Sequence, residues 1–365
     1  MKKLFALLLC VAMTLSLAAC GGFGGQQQAA GNTPPSGSSE PNQPAASGSA
    51  ETVKIRVATS SADGNPMNDL IYYWEEQVDA LLPGRVEWEN FPNAAVGTER
   101  EQIEMVIDGT LDAALVGPSN ITAVAPSNAV RLQDMPFLFR SGEELYAAGE
   151  EWMNAKINEE GEPYGYTTIF YEYIMGQEIE NNRNPIYTPA DVKGLKVRSY
   201  DSPGPYKFLE ACGGLPVSLA FSELYSGLQQ GAIDGVYTTT SNYVPQKLVE
   251  VCKYHTKLEI TSLGMTMMFS LNSLNSYPQD VQDALFEAGR LTEKYCQEVV
   301  SPQTKAKTYD EIAAAGVEIN EVTDEQYEVF VKLIEDYCYD DLREEVGPEL
   351  WDFCVEWLEN YRTNH

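Results

Sequence analysis

The chain has 365 residues, with 54 acidic and 24 basic side chains and a formal net charge of −30. A surface of this sign repels the phosphate backbone, so the composition excludes a nucleic-acid-binding function. The histidines are His255 and the terminal His365, and no Cys or His cluster has the spacing of metal ligands. We therefore predict neither a bound metal nor a cofactor.

The first 52 residues predict export and anchoring instead of a folded domain. Lys2 and Lys3 precede an apolar run over 4–15 that is too short to favour a membrane-spanning helix. Leu17-Ala18-Ala19-Cys20 has the lipobox pattern of bacterial lipoproteins, so we predict a signal peptide over 1–19 and a lipid on Cys20. The alternative is a plain secretory signal cleaved elsewhere. Residues 20–52, rich in Gly, Gln, Ser, Pro and Ala, predict a disordered tether.

The ordered region that follows is longer than one hydrophobic core usually serves, so two lobes are expected. The elements predicted for the first lobe are a strand through Val53, Ile55 and Val57, a helix over 67–82, a strand over 85–90, a helix over 98–107 and a strand over 111–116. Ser119 and Asn120 follow the last strand, at the carboxyl end where open α/β sheets bind ligands. Both are candidate pocket residues, and the alternative is a structural turn.

The stretch from Pro189 to Thr240 alternates strand-like and helix-like pieces, as α/β binding domains do. Its predicted elements are strands over 195–200 and 215–219, a helix over 221–231 and a strand from Ala232. In the first of these strands Arg198 lies on the face opposite Leu195 and Val197. A charged side chain on so apolar a strand requires a partner.

Two motifs run through this stretch without a gap, D-x-K-G-L-K-x-R and then G-x-x-P-x-x-x-x-F-x-E-x-Y-x-x-L-Q-x-G-x-x-D-G. The residues at their fixed positions are Asp191, Lys193, Gly194, Leu195, Lys196, Arg198, Gly213, Pro216, Phe221, Glu223, Tyr225, Leu228, Gln229, Gly231, Asp234 and Gly235. In these motifs the chain resembles the solute receptors of tripartite ATP-independent periplasmic (TRAP) transporters. The resemblance extends to segments over 96–112 and 135–139, and it covers roughly residues 53 to 323.

The resemblance implies an α/β, periplasmic-binding-protein-like fold of two lobes with hinge strands and a long bracing helix. The implied domains are lobe I over 53–175, lobe II over 176–263, and a return to lobe I over 264–365 that holds the bracing helix and the C-terminal helices.

The lobes are expected to be joined by a strand over 165–174 and by a second crossing near 263–268. The bracing helix begins at Pro278 and is broken or kinked at Pro302. Tyr173, on the first crossing strand, is a candidate ligand contact if its face of the strand looks into the cleft.

The resemblance also assigns the binding residues. Arg198 is expected to hold the solute carboxylate, because its planar fork makes two parallel charge-assisted bonds. The alternative is a structural ion pair with an acid such as Asp201. Phe221 stands where the family places an aromatic ring against the ligand, and the alternative is a core phenylalanine.

Two departures from the family pattern bear on the ligand. After Asp234-Gly235 the family continues Gln-Glu-Asn-Pro, whereas this chain has Tyr237 and Thr238 in that region. Glu178 falls where sialic-acid receptors carry a second arginine. An acid there opposes a second carboxylate, so the pattern argues against a sialic acid or a simple dicarboxylate. Monocarboxylates with an apolar, aromatic or polyol body remain open.

The function implied is that of a lipid-anchored receptor on the outer face of the cell membrane or in the periplasm. It captures an organic acid and passes it to small and large TRAP membrane subunits. The chain has no nucleotide-binding loop, so an ion gradient drives uptake, and no catalytic activity is expected. The alternatives are a receptor of an ATP-binding-cassette importer, and an extracellular hydrolase built around His255 or a carboxylate pair.

The cysteines beyond the lipobox are Cys212, Cys252, Cys296, Cys338 and Cys354. An odd number in an exported chain leaves at least one free thiol. We predict that most are buried as small apolar residues, with a Cys338–Cys354 disulfide left open.

Overall fold

The computed structural model describes residues 52–61 and 64–365. The predicted signal peptide, Cys20 and the tether up to Glu51 lie outside the described residues. Within these two ranges no helix is long and apolar enough to cross a membrane.

The described residues form eleven strands and thirteen α-helices. The strands are β1 (Val53–Thr59), β2 (Val86–Phe91), β3 (Ala113–Val116), β4 (Tyr166–Glu172), β5 (Gln177–Asn181), β6 (Lys196–Ser199), β7 (Leu215–Ser218), β8 (Gly235–Thr239), β9 (Tyr254–Thr261), β10 (Met265–Ser270) and β11 (Glu318–Glu321). The α-helices are α1 (Pro66–Leu81), α2 (Glu99–Asp108), α3 (Pro118–Val124), α4 (Asn128–Leu132), α5 (Gly142–Ala148), α6 (Asn154–Gly161), α7 (Pro203–Ala211), α8 (Leu224–Gln229), α9 (Leu271–Ser276), α10 (Gln279–Tyr295), α11 (Ser301–Ala314), α12 (Asp324–Val346) and α13 (Pro348–Asn364).

The strands form two sheets, as the two-lobed expectation requires. The first has the order β2-β1-β3-β10-β4, in which β10 is antiparallel to both its neighbours. The second has the order β11-β9-β5-β8-β6-β7, in which β5 runs antiparallel to β8 and β9. The segment 264–365, expected to return to lobe I, supplies β10 to the first sheet and β11 to the second, because β11 pairs with the free edge of β9.

Two short segments carry the chain between the sheets. The strand predicted over 165–174 ends earlier, at Glu172, so residues 173–176 cross to the second sheet, where β5 begins. Residues 262–264 return from β9 to β10, slightly before the predicted position. We call these the first and second crossings.

The long helix, expected to be broken or kinked at Pro302, runs on through this position without a break. A π-helical turn, Cys296–Val300, joins α10 to α11 without a gap, and Pro302 lies in the first turn of α11. Proline has no N–H to donate to the preceding turn, which accounts for irregular hydrogen bonding just before it. Helix α10 packs on β4 of the first sheet and α11 reaches β11 of the second, so this helix is the bracing element.

Buried aromatic side chains show which helices pack on one face of the first sheet. Trp74 of α1 is fully buried, with ring centroids 5.8 Å from Phe170 and 6.5 Å from Phe269, and its indole N–H donates to the Leu285 carbonyl at 3.0 Å. That bond satisfies the polar atom of a ring that is otherwise apolar. Helices α1 and α10 therefore cover one face of this sheet.

Gly264, in the second crossing, has no room for a side chain. A Cβ there would lie 1.9 Å from the Glu172 carbonyl oxygen and 2.5 Å from Tyr171 Cζ. We expect Gly264→Ala to lower the free energy of unfolding by about 1–3 kcal/mol, the usual cost of overpacking. Urea unfolding with the midpoint and slope both fitted measures it. Gly117→Ala is the control, because its nearest atom would be 3.5 Å away. A stability loss no larger than the control's would contradict this packing.

Candidate functional site

Arg198 lies on an inner strand of the second sheet, one strand from its edge. It is on β6, opposite Val217 of β7 and Val236 of β8, and only 6% of it is exposed. Its Nε donates to the Leu219 carbonyl at 2.9 Å, and neither Nη atom bonds a described residue. The backbone thus holds one edge of the guanidinium and leaves the other edge available to a ligand.

The charge on Arg198 has no acidic partner in the described part of the chain. No carboxylate of those residues lies within 4.0 Å of its guanidinium, so the alternative ion pair with Asp201 does not form there. Burial lowers the pKa of Arg198 to about 10, which leaves it charged at neutral pH. A buried, unpaired cation is costly, and an anionic ligand removes that cost.

Phe221 closely follows the residue whose backbone carbonyl accepts a hydrogen bond from Arg198. The carbonyl that Arg198 bonds belongs to Leu219, two residues before Phe221. Phe221 begins a short 3-10 helix before α8 and is 40% exposed. This exposure does not fit the alternative of a core phenylalanine.

Thr238 and Tyr237 lie on opposite faces of β8. Thr238 shares the sheet face of Val236 and Arg198, and its hydroxyl bonds no described residue. Tyr237 points to the other face, where its hydroxyl pairs with that of Thr261 and its ring packs 6.1 Å from that of Tyr200. Thr238 is therefore free to bind a ligand, whereas Tyr237 is engaged in the core.

Glu178 is engaged in a buried cluster. It lies opposite Thr238 on β5, but its Oε2 is 2.9 Å from His255 Nε2 and accepts from the Thr240 hydroxyl at 2.6 Å. Tyr309 of α11 donates to it at 3.2 Å. Glu180 lies 3.3 Å from the other ring nitrogen of His255. The ring nitrogens are at ion-pair distance without well-directed hydrogen bonds.

The pKa values of this cluster follow from its burial and charge. Burial alone would lower the pKa of His255, but the carboxylates of Glu178 and Glu180, close to its two ring nitrogens, raise it to about 9. Burial raises the pKa of Glu180 to about 7, whereas His255 and Thr240 outweigh burial and lower the pKa of Glu178. The cluster is a charged histidine held by two acids, so Glu178 has no oxygen to spare for a solute.

Tyr173 lies in the first crossing, and its hydroxyl donates to Glu259 on β9. Burial and the Glu259 carboxylate raise the pKa of Tyr173 well above its usual value, so it stays a neutral donor. Its polar atom is thus used within the hinge instead of the cleft.

Asn120 belongs to the lobe I side, where β1 and β3 end. Its amide donates to Glu99 Oε2 at 2.7 Å, and the Gly117 N–H donates to the same oxygen at 3.0 Å. Ser60 donates to the other oxygen of Glu99 at 2.6 Å. Sequence reasoning did not single out Ser60 and Glu99, the bonding partners in this group, although Glu99 stands in one of the segments that carry the family resemblance.

The two lobes touch through Asp134, just after α4. Its carboxylate accepts from the hydroxyls of Tyr200 and Ser202, which follow β6. Burial raises the pKa of Asp134 to about 7 against the effect of these hydroxyls. Beside this contact lies a cavity of about 190 Å³ between Ser119 and Ser202, and Arg198 does not line it.

The described residues also show how the potential metal ligands and the cysteines are placed. No group of three or more His, Cys, Asp or Glu within 52–61 and 64–365 is placed to hold a metal ion. The cysteines there, including Cys338 and Cys354, are free and buried, so the disulfide left open by the sequence is not formed.

Comparison with known proteins places the chain in a family. The family described as bacterial extracellular solute-binding protein, family 7 (DctP), matches residues 57–343. The 2,3-diketo-L-gulonate-binding periplasmic protein YiaO of Escherichia coli is 25% identical over 275 residues, 74% of this chain and 81% of that protein.

Solved structures share the fold. A TRAP periplasmic solute-binding protein of Chromohalobacter salexigens with bound D-glucuronate is 24% identical, with a TM-score of 0.77 over 84% of this chain and 99% of that chain. Another, from Sulfurospirillum deleyianum with bound succinate, is 25% identical, with a TM-score of 0.74 over 83% and 98%. The resemblance drawn from the sequence and the two-lobed α/β fold are confirmed. The chain belongs to family 7 of the bacterial extracellular solute-binding proteins, the DctP family.

Proposed function

We propose that this protein is the receptor of a TRAP transporter and captures an organic acid between its two lobes. The observation that carries the proposal is Arg198, a buried guanidinium with no acid within 4.0 Å among the described residues. A ligand carboxylate would complete it with two parallel hydrogen bonds. The three relatives described above bind 2,3-diketo-L-gulonate, D-glucuronate and succinate, which all carry a carboxylate.

The residues around Arg198 favour a hydroxylated monocarboxylate. Thr238 offers a free hydroxyl on the same sheet face, and Phe221 offers an exposed aromatic ring. On the lobe I side, Ser60 and Asn120 both donate to Glu99, so these polar groups satisfy one another within the protein. No second cation accompanies Arg198 on β5, where Glu178 pairs with His255. A sugar acid therefore suits the site better than a dicarboxylate.

The receptor would release its solute to small and large membrane subunits, and the protein itself would carry out no reaction. A thermal-shift screen tests the binding class, with uronic acids, aldonic acids, dicarboxylates and neutral sugars as probes. We expect a sugar acid to raise the melting temperature and to be recovered unchanged by chromatography. Consumption of the bound acid would instead indicate an enzyme.

The lipid anchor proposed for Cys20 has its own test. Because the lipobox places this cysteine after Leu17-Ala18-Ala19, Cys20→Ala should abolish lipid attachment and leave the protein soluble or unprocessed. Labelling with radioactive palmitate in the native host, followed by membrane fractionation, measures both effects. Cys10→Ala is the matched control. Membrane-associated label in Cys20→Ala equal to wild type would overturn the assignment.

A further inference from the structure

The carboxylate of Glu259 contacts both crossings and the bracing helix. Its Oε1 accepts from the Tyr173 hydroxyl in the first crossing and from the Ser262 hydroxyl in the second crossing, at 3.3 Å. Its Oε2 lies 3.4 Å from Lys305 Nζ on α11, in the bracing helix. One side chain thus joins both crossings and the long helix.

The backbone at Glu259 is held in an unusual conformation. Its φ is 42°, a left-handed value that residues with a Cβ rarely adopt, and it lies within strand β9. The pairing of β9 with β5 shifts register at this level, between Gln177 and Ile179, as in a β-bulge. Strained residues of this kind persist where the surrounding structure fixes them, and they concentrate at hinges and ligand sites.

Two glycines leave room for this arrangement. A Cβ on Gly176, in the first crossing, would lie 2.4 Å from Glu259 Cγ. A Cβ on Gly142, at the start of α5, would lie 2.0 Å from the Tyr173 ring. The Tyr173 ring therefore sits directly on the first lobe while its hydroxyl reaches Glu259 in the second.

We propose that Glu259 is a positioning residue that holds the two lobes in the arrangement required for ligand capture. The inference rests on the proposed function, because capture in an interlobe cleft depends on how the lobes close. A hinge moves through a few residues that absorb large backbone changes. A ligand's apparent affinity falls in proportion to the population of the arrangement that binds it. Loss of the Glu259 contacts should therefore weaken binding without removing any residue that touches the ligand.

The test compares Glu259→Gly with Glu259→Gln. Glycine removes the carboxylate but suits the left-handed φ, so a role confined to the backbone conformation predicts wild-type scattering and exchange for this variant. Glutamine keeps an oxygen for Tyr173 and Ser262 and loses only the charge that faces Lys305. The control is Glu321→Gln, which breaks the exposed 2.6 Å pair with Lys257 at the β9–β11 edge and touches neither crossing.

Three measurements are made on each protein: X-ray scattering without ligand, hydrogen exchange of residues 173–176 and 262–264, and calorimetric titration with D-glucuronate. For Glu259→Gly we expect a larger radius of gyration, exchange at the crossings faster by about tenfold or more, and affinity weaker by about tenfold. Glu259→Gln should fall between Glu259→Gly and wild type, and Glu321→Gln should match wild type.

Wild-type scattering and exchange in ligand-free Glu259→Gly would overturn the inference. These two measurements need no ligand, so they decide the role of Glu259 even if D-glucuronate fails to bind wild type. Failure of every carboxylate to bind wild type would instead overturn the proposed function.

Discussion

Replacing Arg198 with alanine should cost about 2–5 kcal/mol of binding free energy, because the variant buries the ligand carboxylate without its partner. In the free protein the guanidinium is buried with no carboxylate within 4.0 Å among the described residues. Its removal should therefore leave folding intact or improve it. Calorimetric titration with the acid found by the screen, beside urea unfolding of each free protein, separates binding from stability.

Arg198→Lys should also bind more weakly than wild type, although the formal charge is unchanged. A lysine has a single ammonium group and cannot make two parallel bonds to a carboxylate. It would also lose the Nε bond to the Leu219 carbonyl. Arg183→Ala is the matched control, since Arg183 is an exposed arginine of the same lobe paired with Asp234 at 2.8 Å. Near-normal affinity in folded Arg198→Ala would mean that the acid is held elsewhere.

His255→Leu should have the largest effect on stability, about 3–5 kcal/mol, the usual cost of leaving a buried charge without its partner. The residue is completely buried and lies 2.9 Å from Glu178 and 3.3 Å from Glu180. Chemical unfolding at pH 7 measures the loss. Glu178→Gln should cost more than Glu180→Gln, because the fold lowers the pKa of Glu178 and raises that of Glu180 to about 7. Equal stability of His255→Leu and wild type would show that this ion pairing has no net effect.

The same cluster predicts how wild-type stability depends on pH. His255 has a pKa of about 9 in the fold against 6.5 unfolded, so its contribution is complete below pH 6.5 and lost as the pH rises through 9. Glu293, whose pKa burial raises to about 8, acts in the same direction. Between the unfolded and the folded pKa of such a group, the folded protein keeps a proton that the unfolded chain has released. In that pH range the free energy of unfolding falls by about 1.4 kcal/mol per pH unit for each group. Unfolding free energies that stay flat or increase from pH 6.5 to 9 would contradict these shifts.

Local sequence patterns predicted most elements of the fold because local physics determines them. The alternation at Val53, Ile55 and Val57 gave β1, and Thr98 caps α2 through a complete capping box with Glu101. Pro302 indicated where the long helix would be irregular, but not that the irregularity would be a π-helical turn. The π-helical turn over 296–300 depends on how the helix packs across both sheets, which a single proline does not specify.

The candidate site was less accessible to sequence reasoning, because pairing between distant strands decides which polar groups remain free. The position of Glu178 in the family pattern suggests a cleft residue, yet its carboxylate pairs with His255 on β9. Tyr173 looks like a ligand contact by the alternation of its strand, yet its hydroxyl reaches Glu259. Arg198 could be singled out from the sequence, because a lone charge on an apolar strand is already unusual before any partner is known. Its role in holding a carboxylate stays a prediction.

The most direct test of carboxylate capture is a thermal-shift and calorimetric comparison of D-glucuronate with D-glucuronamide. The two differ only in the group that Arg198 would bind. If the acid binds, 100-fold excess over its dissociation constant should stabilise the protein by about 2.7 kcal/mol, and the neutral amide should give no shift at that concentration. If D-glucuronate does not bind, the acid from the screen and its amide replace this pair. Equal binding of acid and amide, or binding of neutral sugars alone, would contradict the account.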